Sequence, residues 1–199
     1  MKILLIGASG TIGRRIYETV SKKHEVIRAS RTGQDVEVDI TSSESIEAMY
    51  KAVRNLDAVI CAAGPAKFGA FAELSEDDFY TGIRGKMMGQ INMVRIGQNY
   101  LNDGGSFTLT TGILAEEPVV GSTALALVNG ALNSFVIAAA LELPRGLRIN
   151  VVCPTVVEDS TDNYADIFPG YAPATMDRVV GAYVRSVESK NTGRIFKVY

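Results

Sequence analysis

The sequence has little cysteine, a single histidine and no excess of basic residues. Cys61 and Cys153 each lie in an apolar run typical of a strand, so we expect buried, reduced thiols and no disulfide. A formal net charge of −2 at pH 7 argues against a nucleic-acid surface, which normally needs a basic stripe. His24 precedes the second predicted strand, where we expect it to be solvent-exposed. We expect no metal site.

The sequence also lacks a long, purely hydrophobic run. Only the four apolar residues 3–6 separate Lys2 from Gly7, which is too short for the apolar region of a secretion signal. The most apolar long stretch, residues 119–141, contains Ser122, Asn129 and Asn133, and it predicts a helix buried within the protein and not a membrane span. These features predict a soluble, cytoplasmic protein without membrane or nucleic-acid partners.

Predicted strands and helices alternate along the whole chain. Apolar strands that alternate with helices require a parallel sheet covered on both faces. We therefore predict one doubly wound α/β domain over residues 1–199, with about seven strands in the order 3-2-1-4-5-6-7 and no helix between strands 2 and 3. The predicted strands are 2–6, 25–29, 35–38, 56–61, 106–110, 147–152 and 194–199, and the predicted helices are 11–22, 43–54, 76–101, 119–143 and 175–189.

A glycine-rich turn, Gly7-Ala8-Ser9-Gly10-Thr11-Ile12-Gly13, follows the first predicted strand and opens a helix. Small residues are needed in such a turn because a pyrophosphate must approach the backbone N–H groups at the helix N-terminus. The turn therefore predicts a dinucleotide site of the Rossmann type. The residues expected to contact the dinucleotide here are Gly7, Ser9, Gly10, Thr11, Ile12 and Gly13.

The end of the second predicted strand indicates which dinucleotide binds. An NAD site usually has an acidic residue about 20 residues after the turn, where it binds the ribose 2′-hydroxyl. Here the segment Arg28-Ala29-Ser30-Arg31-Thr32 has no acid, and its hydroxyls and guanidinium groups suit a 2′-phosphate instead. We predict that Ser30, Arg31 and Thr32 favour NADP(H) over NAD(H), with Arg14 as a second phosphate ligand.

With these features in place, the sequence resembles the short-chain dehydrogenase/reductase family over nearly its whole length. Cys61-Ala62-Ala63-Gly64 is similar to the family's Asn-Asn-Ala-Gly, Val38-Asp39-Ile40-Thr41 to its adenine-contacting segment, and Leu147–Pro154 to the strand that meets the nicotinamide. The turn departs from the commoner pattern, which has glycine where Thr11 stands. The resemblance implies further cofactor contacts from Asp39, Ile40, Ala62, Ala63, Gly64 and Pro154.

The catalytic residues of that family are missing at the matching positions. Family members use a tyrosine four residues before a lysine, an earlier serine and an asparagine on the preceding helix. The matching positions here hold Leu125, Asn129, Gly112 with Thr111 beside it, and Lys86. Leucine cannot donate a proton, so standard carbonyl reduction is not expected, and Lys86 and Thr111 are the candidate replacements.

The other tyrosines are weaker candidates for the acid. Tyr50 and Tyr80 precede an arginine by four residues, a spacing that is common on helix surfaces. Tyr164 and Tyr171 lie in the stretch 155–175, which has little periodicity and is predicted to be a mobile lid or substrate loop. A packing role is the more frequent one for an aromatic residue in a lid.

Three functions stay open on these grounds. The first is an oxidoreductase that uses NADP(H) on a small carbonyl or alcohol substrate with an altered active site. The second is a non-catalytic sensor of the NADP(H) redox state that acts through the lid, and the third is an isomerase or epimerase with bound cofactor. The helix at 119–143 is apolar almost all round, so we also expect a homodimer or homotetramer through helices 76–101 and 119–143.

Overall fold

The computed structural model describes residues 1–161 and 166–199, which fold around one seven-stranded sheet. All strand pairs are parallel, and the strand order is β3-β2-β1-β4-β5-β6-β7. The predicted fold class and strand order are therefore confirmed. The strands are β1 (Lys2–Ile6), β2 (Glu25–Ser30), β3 (Val36–Glu37), β4 (Leu56–Cys61), β5 (Leu101–Thr110), β6 (Arg148–Pro154) and β7 (Arg194–Val198).

Helices cover both faces of this sheet. Ile16 of α1 and Val179 of α6 pack in the core on one face, whereas Ile46 of α2, Met93 of α4 and Leu132 of α5 belong to the core on the other. Fully buried strands of this kind are apolar on both faces, which explains the continuous hydrophobic runs of the sequence. The helices are α1 (Thr11–Val20), α2 (Ser43–Ala52), α3 (Glu76–Gly82), α4 (Gly89–Gly97), α5 (Thr123–Ala139) and α6 (Met176–Glu188).

The connection between β2 and β3 contains no helix, as predicted. Val36 pairs with Ala29 and Glu37 with Ser30, so β3 is a two-residue edge strand beside the end of β2. The salt bridge from Arg28 to Asp35, with an N–O distance of 2.8 Å, holds this short connection together. The missing helix leaves the end of β2 open at the carboxyl edge of the sheet.

The single helix predicted over residues 76–101 is wrong in its extent. The chain forms α3, then a π-helical segment at Ile83–Met88, then α4, which ends at Gly97. The helix cannot continue to Leu101, because that residue already pairs with Leu56 as the first residue of β5. The π-helical segment shifts the helical register at Lys86, a residue expected at the active site.

The predicted bounds of the next helix, 119–143, are also too wide. The α5 helix begins at Thr123, after a turn in which the Ser122 hydroxyl donates to the Val119 carbonyl at 2.7 Å. It ends at Ala139, five residues before Pro144. None of the helices within residues 1–161 and 166–199 has both the length and the apolar character needed to span a lipid bilayer.

The expectation that His24 is solvent-exposed is wrong. Its side chain is only 12% exposed, and Nε2 lies 3.0 Å from Oε1 of Glu188, at the end of α6. The reason is the packing of α1 against α6, which brings the loop after α1 next to the end of the last helix. His24 is therefore a contact between these two helical segments.

Candidate cofactor and active site

The glycine turn after β1 is shaped for close approach of a ligand to the backbone. Gly7 has a φ of +85°, a left-handed conformation that favours glycine. A Cβ atom on Gly13 would overlap the carbonyl oxygen of Gly7, so only glycine lets α1 lie this close to the strand. No side chain caps the N-terminus of α1 and its first turn contains no acid, so its N–H groups suit an anion.

Two cavities lie at the carboxyl edge of the sheet, one on each side of this turn. The first, which we call the arginine cavity, has a volume of about 460 Å³ and includes Arg31. The second, which we call the lysine cavity, has a volume of about 340 Å³ and includes Lys86. All the residues expected to contact the cofactor line one of these cavities, except two. Gly13 is buried beneath the turn, and Arg14, the expected second phosphate ligand, is exposed on α1.

The arginine cavity brings Ser30, Arg31 and Thr32 together with the turn and with the segment after β3. Arg31 is exposed and makes no hydrogen bond or salt bridge to a described residue, whereas Arg28 is held by Asp35. Arg31 is therefore the arginine of this segment that is available to a ligand. The cavity is lined by Ile6, Gly7, Ser9, Ser30, Arg31, Thr32, Val38, Asp39, Ile40, Thr41, Ala63, Gly64 and Pro65.

Asp39 is the only carboxylate among the residues that line the arginine cavity. Its Oδ1 accepts hydrogen bonds from the backbone N–H and the hydroxyl of Thr41, at 2.9 and 2.8 Å. These bonds, with a smaller contribution from the Arg31 guanidinium, lower the pKa of Asp39. The carboxylate is thus engaged by Thr41, and Arg31 is the cation that faces it in this cavity.

The lysine cavity lies on the other side of the turn, above the ends of β5 and β6. Its walls are mainly apolar, and Lys86 is the only charged residue among those that line it. No salt bridge or hydrogen bond joins Lys86 to a described residue. The cavity is lined by Gly10, Thr11, Ile12, Ala62, Phe68, Lys86, Thr111, Gly112, Ile113, Leu114, Leu125, Asn129, Pro154, Thr155, Val156, Val157, Ser160 and Phe168.

Lys86 is placed by the π-helical segment and by close packing on Gly64. A Cβ atom on Gly64 would lie 2.8 Å from Cα, Cβ and Cγ of Lys86, so the stem of the lysine crosses directly over the loop after β4. Burial lowers the pKa of Lys86 to about 8, with smaller opposing contributions from the thiols of Cys153 and Cys61. A lysine with such a pKa can donate and accept a proton near neutral pH.

Two buried polar side chains of the lysine cavity each have an oxygen atom without a hydrogen-bond partner among the described residues. They are Asn129, 2% exposed, with its Oδ1, and Thr155, 6% exposed, with its Oγ1. Buried polar groups are normally hydrogen-bonded, and each exception calls for an explanation such as a missing ligand. By contrast, the hydroxyl of Thr111 donates to Oδ1 of Asn133 at 2.9 Å.

The structure brings together the positions where the family has its catalytic residues. Lys86, Gly112, Leu125 and Asn129 all line the lysine cavity, although they come from three separate parts of the chain. Asn129 also lies against Gly112, since a Cβ atom on that glycine would be 3.5 Å from Nδ2. The cavity thus has the location of an active site, with leucine where the tyrosine is expected.

The tyrosines do not line this cavity in the part of the chain that the structure describes. Tyr50 is fully buried and donates to the carbonyl of Met93 at 2.8 Å, and burial raises the pKa of its hydroxyl well above the usual range. Tyr80 stacks under its own Arg84, with the guanidinium 4.7 Å from the ring centre. Tyr171 contacts Phe168 edge-on, and Tyr164 lies outside the described residues.

Several residues of the site escaped prediction from the sequence. Thr155 directly follows Pro154, so its position could have been found by extending the matched segment by one residue. Phe68 and Phe168 line the lysine cavity from two loops that lack a recognisable motif. Gln90 is fully buried in α4 and hydrogen-bonds to both the N–H and the carbonyl of Thr110, a role that no pattern in the sequence indicates.

The sequence matches one known family. Residues 11–185 match the family model described as enoyl-(acyl carrier protein) reductase, which covers most of the chain. The chain belongs to the short-chain dehydrogenase/reductase family. The resemblance predicted from the sequence is thereby confirmed, and the family consists of oxidoreductases.

Three proteins similar to this short-chain dehydrogenase/reductase differ in their sequence identity to it. The lin1944 protein from Listeria innocua is 47% identical over the full length of both chains, with a TM-score of 0.98. An uncharacterized oxidoreductase of Methylorubrum extorquens is 24% identical over 178 residues, which cover 77% of this chain and 72% of that protein. A small-chain dehydrogenase solved in complex with NADPH shares the fold, with 23% identity, coverage of 100% and 96% of the two chains, and a TM-score of 0.87.

Proposed function

We propose that this protein is an NADPH-dependent reductase of small carbonyl compounds in which Lys86 replaces tyrosine as the proton donor. The observation that carries the proposal is the lysine cavity, where an unpaired lysine lies among the positions that match the family's catalytic residues. The cavity volume of about 340 Å³ is at the lower end of the range for ligand sites, about 300–1,000 Å³. Because the nicotinamide next to Pro154 would occupy part of this volume, the substrate must be small.

The residues at the carboxyl edge of the sheet fit a dinucleotide. The backbone around Gly7 and Gly13 leaves no room for a Cβ atom, and the uncapped N-terminus of α1 is suited to a pyrophosphate. The arginine cavity would hold the adenosine end, with Asp39 and Ile40 beside the adenine. The oxygen of Thr155, which lacks a partner, fits the carboxamide of a nicotinamide placed next to Pro154.

The preference for NADP(H) over NAD(H) rests on Arg31. Its guanidinium makes no hydrogen bond or salt bridge to a described residue, and Ser30 and Thr32 place two hydroxyls on the same rim. The Ser30 hydroxyl donates to the Thr32 carbonyl at 2.6 Å, so the two residues form one local turn around Arg31. A 2′-phosphate is an anion that could accept hydrogen bonds from this guanidinium and these hydroxyls.

The proposed chemistry divides between the cofactor and Lys86. NADPH, when bound, supplies the hydride. The Lys86 ammonium donates a hydrogen bond to the carbonyl oxygen and then transfers its proton to that oxygen as it becomes an alcohol.

Thr111, the second candidate acid, is less suited to this task. Its hydroxyl proton is directed to Asn133, and a threonine hydroxyl has only one proton to donate. We therefore assign Thr111 to holding α5 against the end of β5. The isolated lysine remains as the donor.

We also propose that the protein is a homo-oligomer through α4 and α5, as the sequence predicts for this region. Leu127, Ile137 and Leu141 are exposed on or just after α5, at 45%, 51% and 87%, and Met88 is exposed just before α4. Exposed apolar side chains grouped in this way are typical of protein interfaces. Cys61 and Cys153 are free and buried, which fits the proposed cytoplasmic location.

The test of the proposed function is NADPH consumption with a panel of small aldehydes and ketones. We expect turnover by the wild type and a loss of about 10²–10⁴ in rate for Lys86→Met, the usual contribution of general acid catalysis. The matched control is Lys190→Met, an exposed lysine outside both cavities, which should keep wild-type rates. NADPH binding with no turnover of any compound would contradict the reductase and favour the redox sensor, whereas full activity of Lys86→Met would remove Lys86 as the acid.

A further inference from the structure

The lysine cavity has an unbalanced charge. Among the described residues that line it, Lys86 is the only charged one, and none of them is a carboxylate. Moving a cation out of water is unfavourable unless a counter-charge or several hydrogen bonds compensate, and the protein supplies neither to Lys86 within the described residues. A ligand that brings a negative charge would restore the balance.

A second polar group lies in the same cavity and also lacks a partner. The side-chain amide of Asn129 makes no hydrogen bond to a described residue, although Asn129 is only 2% exposed. Its Nδ2 lies close to Gly112, which follows β5 and also lines the cavity. An amide N–H and an ammonium group that line one cavity can together bind an oxygen-rich anion.

One part of the cavity wall is formed by an apolar cluster. Ile113, Leu114 and Phe168 form a hydrophobic cluster against which Phe68 and Leu125 pack, and all five line the cavity. Leu125 lies one helical turn before Asn129 on α5, so the apolar wall begins directly beside the polar group. A ligand that fills the cavity therefore has a polar end and an apolar end.

We propose that the substrate is a short 2-oxo acid with an apolar side chain, whose carboxylate binds Lys86 and Asn129. This inference rests on the proposed reductase function and names its substrate class. An ammonium group has three donors, so Lys86 can bind one carboxylate oxygen and the adjacent ketone oxygen together. The Asn129 amide donates to the other carboxylate oxygen, and the aliphatic side chain lies against Leu125 and Phe168.

The reaction of such a substrate is balanced by the proposed cofactor. The ketone carbon gains the hydride of NADPH, the π bond of the carbonyl group breaks, and its oxygen takes a proton from Lys86. The products are a 2-hydroxy acid and NADP⁺, and solvent returns the proton to Lys86.

The test compares three compounds of similar length, 2-oxohexanoate, its methyl ester and 2-hexanone. For the wild type we expect kcat/KM for the acid to exceed that for the ester by about tenfold or more, the usual worth of a charge-assisted hydrogen bond. In Asn129→Leu this ratio should fall several-fold, and in the control variant Lys190→Met it should not change. A wild type that reduces all three compounds without preferring the acid would overturn the proposal and leave the reductase function standing.

A binding measurement separates the two proposals when turnover fails. Oxamate, which has the carboxylate and carbonyl of a 2-oxo acid but is not reduced, is titrated into the protein with saturating NADPH. Binding that weakens about tenfold or more in Lys86→Met supports the carboxylate site even if no carbonyl is reduced. The site would be overturned if the wild type did not bind oxamate. It would also be overturned if Lys86→Met weakened the binding of NADPH as much as that of oxamate, because Lys86 would then interact with the cofactor and not with the carboxylate.

Discussion

Gln90 holds Thr110 by both ends of its side-chain amide. Its Oε1 accepts from the Thr110 N–H at 2.9 Å, and its Nε2 donates to the Thr110 carbonyl at 2.9 Å and to the Ala63 carbonyl at 3.3 Å. Thr110 is the last residue of β5, and Ala63 belongs to the loop after β4. One buried glutamine thus fixes two strand ends at the edge where the cofactor is proposed to bind.

Gln90→Leu is therefore expected to destabilise the protein. Leucine has a similar volume, but it would leave the buried N–H and carbonyl of Thr110 without partners, at about 1–3 kcal/mol for each group. We expect the free energy of unfolding in urea to fall by about 2–5 kcal/mol. Gln98→Leu is the matched control, because that side chain bonds only to the carbonyl of Arg95 within its own helix end. Equal stabilities of the two variants would contradict the role of Gln90.

Arg31→Asp should change the cofactor preference. The variant replaces the guanidinium in the arginine cavity with a carboxylate, which repels a 2′-phosphate and suits a free ribose hydroxyl. We expect the affinity for NADPH to fall about ten- to a hundredfold and the affinity for NADH to stay the same or improve. Arg54→Asp, at the opposite edge of the sheet, is the control. An unchanged ratio of the two affinities would remove Arg31 as the phosphate ligand.

The rate of reduction should depend on the protonation of Lys86. Burial lowers the pKa of Lys86 to about 8, so the ammonium form is present below that pH and is lost above it. The titratable groups that face it are the thiols of Cys61 and Cys153, and burial raises the pKa of Cys61 to about 12, so that thiol stays neutral. We expect kcat/KM to be constant below about pH 7 and to fall tenfold per pH unit well above 8.

The same lysine has a consequence for stability. Because its pKa is lower in the folded protein than in the unfolded chain, the unfolded chain binds more protons between about pH 8 and the ordinary lysine value of 10.5. The contribution of Lys86 to the free energy of unfolding should thus rise with pH in that window.

The pH dependence of the rate has its own contradicting outcome. A profile of kcat/KM against pH without a decrease above pH 8 would show that the proton comes from a group other than Lys86.

The proposed oligomer can be tested on the exposed face of α5. Replacing Leu127 and Ile137 together by glutamate places two charges on that face, and the assembly should dissociate to single chains. Thr19→Glu adds a charge at an exposed polar position of α1, on the opposite face of the sheet, and is the single-charge control. Light scattering coupled to size-exclusion chromatography gives the mass. A wild type with the mass of one chain would contradict the proposed interface.

The fold could be predicted from the sequence because its signals are local. The continuous apolar run of β1, the glycines of the turn and the five-residue link before β3 each determine their own structure, and their order defines the sheet. The prediction of a single helix over 76–101 was wrong because its signal is not local. Its end depends on the pairing of Leu101 with Leu56, a contact between residues far apart in the sequence.

The candidate site could be predicted only in part. Gly7, Arg31 and Gly64 are part of motifs, so their position at the sheet edge follows from the fold. The lack of a charged partner for Lys86 does not follow from the fold, because it depends on which side chains line the surrounding cavity. The unpartnered amide of Asn129 and the clamp of Gln90 on Thr110 likewise arise from packing between helix and sheet, which has no short-range signature.

Calorimetric titration of the wild-type protein with NADPH tests the central claim most directly, since the proposed reaction and its substrate depend on the glycine turn holding that cofactor. We predict binding of one NADPH per chain, with an affinity at least about tenfold higher than for NADH. Binding should be lost when a side chain is placed at the close contact, as in Gly13→Val, provided that the variant is folded by circular dichroism. No measurable heat or saturation with NADPH, NADP⁺, NADH or NAD⁺ would contradict the account.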